Sequence, residues 1–374
     1  MNFVHFSDTH LGGSNFKLRE REQDFLDAFK QVIDYCLKEK PEFILHSGDL
    51  FDKGKPSNRI LLFVIKQLKK LKQAGIPLFI VPGSHDVSVD GTFITILERV
   101  GLLRNVAKPE NFEGPLMKGE ECGDAIIYGV PGRRANIRQI YEAIKPRESD
   151  KFKIFMFHHI TSDIMGTEEF ADIPLSLLPQ GMDYYAGGHW HDYESNTYQG
   201  KPVIYPGSTE YSDINVMQGK ARGFIHYQDK PRFIKLETRE VGVREIDCNN
   251  LNPEEITAKC IDNLKPSNQG LLILKLKGTL KEGKRNEVDT QVIKEQAQTK
   301  GYLYCNVRIS GLNNPGEVSI NTKKTIEDIE KEFLKKKGYS ESEVMIARQL
   351  IELLGKDYKP QELIKAINKA GELV

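Results

Sequence analysis

Hydrophobic residues over the first 230 positions recur with two periods, and the two alternate. Short apolar runs at 3–7, 43–46 and 76–81 have the length of buried strands. Between them Phe25, Phe29, Val32, Ile33 and Cys36 repeat at helical spacing, as do Ile60, Leu61, Val64, Ile65, Leu68 and Leu71. Pro41 stops the first helix, and Gly75 closes the second as a C-terminal cap. Strand, helix, strand, helix, strand is the rhythm of a layered α/β domain. A further helix is predicted at 92–100, and further strands at 125–130, 153–157, 182–186, 202–205 and 223–227. The polar Asp229-Lys230-Pro231 then interrupts the pattern, so the first domain is assigned to 1–228.

A smaller α+β unit is expected over 229–310. Its strands would be 233–246, 271–277 and 302–309, with helices at 253–264 and 287–299. In the last strand Leu303, Cys305, Val307 and Ile309 alternate with other residues. No charged residues cluster there in a catalytic pattern, which suits a capping domain. A linker rich in Gly, Asn and Pro is placed at 311–322. Beyond it Ile326, Ile329 and Phe333 mark one helix, and Ser340 with Glu343 forms a capping-box signal for the next. Pro360 opens a third, carrying Leu363, Ile364 and Ile367. Short helices gain most of their stability from packing. The segment 323–374 therefore reads either as a dock for a partner or as a helical subdomain folded back on the body.

Composition narrows the class. A chain of 374 residues can bury a large core in two or three domains. Its formal net charge of zero argues against a generally basic nucleic-acid coat, though not against a local basic groove. Five scattered cysteines without CxxC pairing point to reduced thiols in an intracellular, cytoplasmic protein. The N-terminus enters a strand at once, so no signal peptide is expected. No apolar run reaches membrane-spanning length, so no membrane partner is expected.

The candidate chemistry sits at predicted strand ends. Asp8/His10, Asp49/Asp52, Ser84/His85/Asp86, His158/His159 and His189/His191 form five clusters that hold six of the nine histidines. Each alone reads as an ordinary turn or surface pair, but five at strand ends in one domain do not. Open α/β sheets place ligand sites at such ends. Carboxylates and imidazoles without thiolates suit Mn, Fe or Zn. Two ions about 3.5–4 Å apart clamp both oxygens of a phosphoester displacement. A single structural Zn needs only about four ligands and would leave the others unexplained.

The series Asp8-x-His10, Gly48-Asp49-x-x-Asp52, Gly83-Ser84-His85-Asp86, His158 and Gly188-His189-x-His191 resembles the calcineurin-like metallophosphoesterases, over residues 1 to about 228. Within them, Ser7-Asp8-Thr9-His10-Leu11-Gly12, His46-Ser47-Gly48-Asp49-Leu50-Phe51, Gly188-His189-Trp190-His191 and Tyr205-Pro206-Gly207-Ser208 are similar to the Mre-type double-strand-break repair nucleases. The D subunit of the bacterial SbcCD nuclease is a relative of these. The resemblance implies a metallophosphoesterase sandwich, mixed sheets flanked by helices, with a small capping domain and a C-terminal helical segment. It implies two Mn ions per chain, with Mg, Fe or Zn as alternatives. Asp49 would bridge them, Asp8, His10 and His191 would complete one site, and Ser84, His158 and His189 the other. His85 would stabilise charge at the scissile phosphate or protonate the leaving oxygen. His159 has the weaker claim, and His5, His46 and His226 read as strand residues.

Two positions depart from the family pattern. Asp52 stands where the repair nucleases often carry His or Asn, and an Asp52–His85 pair would orient the imidazole and raise its pKa. Ser84 stands where the family uses asparagine, and its shorter hydroxyl implies a looser second site. Phosphate contacts are assigned to Lys17, Arg19, Arg21, Arg133 and Arg134, with Arg138 nearby. Helices 60–71 and 92–100 would supply a homodimer contact or simply cover the sheet. The expected activity is Mn-dependent exonuclease and single-strand endonuclease action in DNA double-strand-break repair, by two-metal hydrolysis of phosphodiesters. The substrates would be DNA ends and single-stranded DNA, and 323–374 would dock on a Rad-type coiled-coil ABC ATPase. The alternatives are a small-molecule phosphodiesterase, or a DNA-binding scaffold whose catalysis Ser84 weakens.

Overall fold

A computed structural model describes residues 1–86, 92–132, 136–165, 171–213 and 220–316. The expected helical segment 323–374, the second half of the expected linker (317–322), and Arg133 and Arg134 lie outside the described residues. Two compact units are present among the described residues: Met1–Val243 with Gln269–Leu271, and Arg244–Asn268 with 272–316.

The first unit begins β1 (Asn2–Phe6), α1 (Arg19–Glu39), β2 (Phe43–His46), α2 (Asn58–Gln73), β3 (Leu78–Ile80), α3 (Phe93–Arg99) and β4 (Arg104–Asn105). It continues with β5 (Glu120–Cys122), β6 (Ala125–Gly129), α4 (Ile137–Ala143), β7 (Phe152–Phe157), β8 (Tyr184–Gly187), β9 (Glu194–Tyr198), β10 (Lys201–Tyr205), β11 (Gly223–Gln228) and β12 (Lys230–Lys235). These strands form two six-stranded sheets, ordered β12-β11-β1-β2-β3-β4 and β9-β10-β8-β7-β6-β5. The pairs β1–β2, β2–β3, β6–β7, β7–β8 and β8–β10 are parallel. Their carboxyl ends therefore gather on one edge of each sheet.

The layering follows from side-chain alternation. Along β1 and β2, Phe3, Phe43 and Leu45 face the second sheet, where they join Ala125, Ile127, Ile154, Met156, Tyr184 and Ile204. The intervening Val4, Phe6 and Ile44 face α1 and α2, packing with Phe29, Val32, Ile33, Val64 and Leu68. Strands buried on both faces read as continuous apolar runs, so alternation is hidden in their sequence. Phe3 anchors the middle layer, stacked on Phe43 at 5.2 Å and on Tyr227 at 4.7 Å between ring centroids. The helices end as expected: α1 stops before Lys40, which is left-handed and precedes Pro41, and Gly75 follows α2 at φ +73°. Ser57 caps the start of α2, its hydroxyl accepting from the Ile60 amide.

A buried polar chain crosses between the sheets below the candidate site. The Ser47 hydroxyl donates to the Ala186 carbonyl at 3.0 Å and lies 2.9 Å from His5 Nε2. His5 Nδ1 meets the Tyr184 hydroxyl at 3.0 Å. Burial holds His5 neutral, with its pKa pulled down to about 3.

The second unit is a three-stranded sheet of β13 (Val241–Asp247), β14 (Leu271–Thr279) and β15 (Tyr304–Asn313), with helices α5 (Pro253–Asp262) and α6 (Thr290–Thr299). Ile246, Cys248, Ile256, Cys260, Leu272, Leu274, Ile293 and Cys305 make its core. Two sequence boundaries shift. Asp229-Lys230-Pro231 is not a domain break, because β12 pairs back on β11 from Gln228↔Lys230 to Gly223↔Lys235. The single strand expected over 233–246 is thus divided, its first part closing the larger sheet. The last strand also runs on to Asn313, into the expected linker. Among the described residues no helix is long and apolar enough to cross a membrane, and the five cysteines are unpaired.

Replacing Phe3 by alanine empties the junction of four aromatic rings, and burial of that size is worth about 3–5 kcal/mol. Urea unfolding of Phe3→Ala is expected to show a midpoint lowered by that amount, with the slope unchanged.

Candidate metal centre

The turns that leave β1, β2, β3, β7 and β8 meet at one edge of the sandwich. Main-chain bonds from Asp8 N to Gly48 O (2.9 Å), His10 N to Asp49 O (3.0 Å) and Leu11 N to Leu50 O (3.0 Å) zip the first two turns together. Asp86 ties the second turn to the third. Its buried carboxylate accepts the amides of Leu50 (3.2 Å), Phe51 (3.0 Å) and Gly83 (2.9 Å). Glycine is required where these turns touch: a Cβ on Gly83 would strike the Asp49 carboxylate, and one on Gly188 the Ser47 carbonyl.

Two ligand groups result. Asp8, His10 and His191 present donor atoms within 4.8 Å of one another, as do Asp49, His158 and His189. Asp49 lies between the groups: its Oδ2 is 3.1 Å from His158 Nε2 and 3.9 Å from His10 Nε2. Ser84 Oγ stands 3.5 Å from the same oxygen, while Asp49 Oδ1 accepts the His85 amide at 2.8 Å. The floor formed by Asp8, Asp49 and His158 is buried, whereas the side chains of His189 and His191 are 21% and 33% exposed.

Electrostatics supply a test of whether cations fit. The Ser47 carbonyl, 2.7 Å from His158 Nδ1, can only accept, so Nδ1 carries a hydrogen. In the neutral ring Nε2 is then a lone pair aimed at the Asp49 carboxylate, and it is buried without a hydrogen-bond partner. Only a proton or a metal cation between the two atoms resolves that repulsion. In the first group His10 Nε2 and His191 Nε2 face each other at 3.2 Å, with Asp8 Oδ1 3.8 Å from His191, so two imidazole nitrogens and a carboxylate oxygen converge. The donors present fit divalent cations.

The pKa pattern agrees with this reading. Burial opposes the His158 imidazolium, but Asp49 and Asp8 outweigh it and raise the pKa to about 9. Burial pushes Asp8 up to about 7 against the pull of His158. Burial also draws His10 down to about 3 and His191 to about 4, keeping both neutral and available as ligands. For Asp49, burial is overcome by His158 and His10, which hold it below the usual carboxylate range.

His85 stands at the exposed rim, its ring 4.9 Å from that of His10. The bond expected from the Asp52 carboxylate is made instead by the Asp52 main-chain carbonyl, 2.7 Å from His85 Nδ1. That carbonyl orients His85 whatever side chain residue 52 carries. The Asp52 carboxylate turns to His10 Nδ1 at 3.9 Å, forming a third group with His10 and His85.

The other assigned residues separate. His159 is buried behind the site, its Nδ1 3.1 Å from the Tyr141 hydroxyl. His5, His46 and His226 lie in strands and are buried. Lys17 and Arg19 are exposed and free to meet phosphate. Arg21 is not: its side chain is fully buried and bonded to Asp24 at 2.5 Å and Glu210 at 3.1 Å, so it cannot contact DNA. The phosphate contact expected of Arg21 is thus not made, because Arg21 falls on the inner face of α1. Arg138 pairs with Glu142 on its own helix. Sequence reading missed Ser47, Ser212, Arg222 and Asp172, whose carboxylate lies 3.9 Å from His189 Nε2. Only Ser47 carried a signal, by standing next to Gly48-Asp49.

Because protons on His158 and Asp8 compete with metal, cation affinity is expected to rise as pH climbs from 6 to 9. Mn2+ titrations across that range, with proton release followed in weak buffer, check this. A flat profile would contradict the shared-proton geometry.

A model of the calcineurin-like phosphoesterase family matches residues 1–193. The chain is similar to the DNA double-strand break repair protein Mre11 of Sulfurisphaera tokodaii, with 29% identity over 390 residues, covering 97% of this chain and 96% of that protein. The corresponding protein of Sulfolobus acidocaldarius is 28% identical over 388 residues, covering 98% of each. That of Saccharolobus solfataricus is 34% identical over 199 residues, 51% of this chain and 49% of its own length. The matched region carries Asp8, His10, Asp49, Ser84, His158, His189 and His191. With more than half its length matched, the chain belongs to the calcineurin-like phosphoesterases.

Proposed function

We propose that the protein is a Mn-dependent DNA nuclease of double-strand-break repair, cutting DNA ends and single strands. The observation that carries this is the joining of two cation positions through Asp49 beside an exposed His85, in a chain similar from end to end to repair proteins. Asp49 would serve both ions, with Asp8, His10 and His191 on one and Ser84, His158 and His189 on the other. Such ions supply Lewis acidity and neutralise the charge of a phosphodiester. The chain's own residues do the rest. Asp86 fixes the turns, and the Ser47 carbonyl sets the His158 tautomer. His85, its Nδ1–H held by the Asp52 carbonyl, would as the imidazolium donate its Nε2 proton to the leaving oxygen. Lys17 and Arg19 would hold the phosphate backbone.

Apolar side chains left on the surface support a homodimer. Leu62 of α2 is 66% exposed, and Ile96 and Val100, on and just after α3, are 48% and 55% exposed. The helical spacing of apolar residues in the sequence of 323–374 supports docking on a coiled-coil ABC ATPase of the Rad type. The unpaired cysteines are in keeping with a cytoplasmic protein. A second reading, a DNA-binding scaffold with weak turnover, is favoured by Ser84, whose hydroxyl is a poorer ligand than an amide oxygen.

One assay separates these readings and the small-molecule phosphodiesterase: Mn2+ with end-labelled single- and double-stranded DNA, beside a chromogenic phosphodiester. Wild type is expected to cut DNA, and His85→Ala to lose about 10²–10⁴-fold in rate while keeping its metal. Turnover of the small ester alone, or DNA binding without cleavage, would point to the other readings. Deleting 323–374 is expected to abolish capture of the ATPase and to leave Mn-dependent cleavage intact. Unchanged capture would refute the docking role.

A further inference from the structure

We propose that Ser212 is a positioning residue for His191, fixing its imidazole so that Nε2 faces the first cation position. The inference rests on the two-ion reading above.

Ser212 Oγ lies 2.7 Å from His191 Nδ1. On the far side of the ring, Nε2 meets His10 and Asp8. An imidazole that donates Nδ1–H to an oxygen keeps its lone pair on Nε2, where a metal can use it. A change of tautomer would put hydrogen on Nε2, and rotation of the ring would turn Nε2 away; either removes the ligand. The His191 side chain is one-third exposed, and its ring meets that of His10 edge-on at 5.0 Å, a contact that does not choose between tautomers.

The backbone around Ser212 is held with unusual firmness. Its carbonyl accepts from Asn15 Nδ2 at 2.5 Å. Arg21 donates to the Tyr211 carbonyl at 2.9 Å and to the Glu210 carboxylate at 3.1 Å, and that carboxylate also accepts the Tyr211 amide at 2.8 Å. Ser208 Oγ closes the segment on the Glu210 carbonyl at 2.7 Å. Arg21 and Glu210 are 0% and 1% exposed. A buried ion pair is weak as a source of stability, and this one spends its hydrogen bonds on the two residues preceding Ser212. A second fully buried arginine, Arg222, grips the His191 carbonyl and reaches Asp192 at 2.8 Å. His191 is thus fixed at its main chain by Arg222 and at its ring by Ser212.

The test compares the full-length wild type with Ser212→Ala and Ser212→Thr. Mn2+ binding is followed by electron paramagnetic resonance of the free ion, and ring tautomers by nitrogen-15 NMR. Wild type is expected to bind two ions. Ser212→Ala should weaken one of them about 10–100-fold, leave the other and the unfolding midpoint unchanged, and abolish the His191 Nδ1–H signature. Ser212→Thr, which keeps the hydroxyl, should restore both. Ser212→Ala that binds both ions as wild type does, or a threonine that fails to rescue, overturns the inference. Fewer than two ions in wild type overturns the two-ion reading itself, and shows before any substitution is made.

Discussion

The structure turns on one buried charge. Asp49 is 1% exposed and ionised, and a carboxylate taken out of water must find its compensation nearby. It does so by drawing on four strand ends. The His85 amide comes from the turn after β3, His158 from the end of β7, His10 from the turn after β1, and Asp49 itself follows β2. A shift of any one of these removes part of what compensates the charge. Glycine at 83 and 188, the three amides on Asp86 and the His5–Ser47–Ala186 chain between the sheets all serve this convergence. The sandwich brings the edges together, and Asp49 fixes how closely they approach.

Much of this was legible in the sequence because ligand residues follow strands that are easy to read. Apolar runs ending in Asp8-x-His10, Gly48-Asp49 and Gly188-His189-x-His191 give both the strand and the direction of its end. The family resemblance supplied the pairing of clusters into two sites, which spacing alone does not contain. Hydrogen bonds made by main-chain atoms were not legible. Any residue at position 52 offers a carbonyl, so nothing in the letters said that His85 would bond to it. Ser212 was equally silent, being an ordinary serine twenty-one residues from His191. Arg21 misled because a basic run looks the same whether a member faces water or the inside of a helix, and only contact with Glu210 decides.

Boundaries failed for a related reason. Asp229-Lys230-Pro231 has the composition of a linker, yet a tight hairpin has the same composition. Whether such a turn separates domains or joins two strands depends on what the following segment pairs with. Here Lys230–Lys235 completes a sheet begun more than two hundred residues earlier, a long-range fact that local composition does not hold.

One backbone feature bears on how this protein can change. Asp8, His10, Asp49 and His189 all have left-handed backbone, with φ between +40° and +80°. Side-chain-bearing residues pay about 1–2 kcal/mol each in that region, where glycine pays little. The metal centre therefore sits where a search for thermostability would find some of its easiest gains. Glycine at these positions would relieve strain while removing the ligands, so stability and chemistry compete residue by residue. A lineage of this fold that lost its metals would be free to relax at these four residues, and hardened, ligand-free turns would be the trace of that loss.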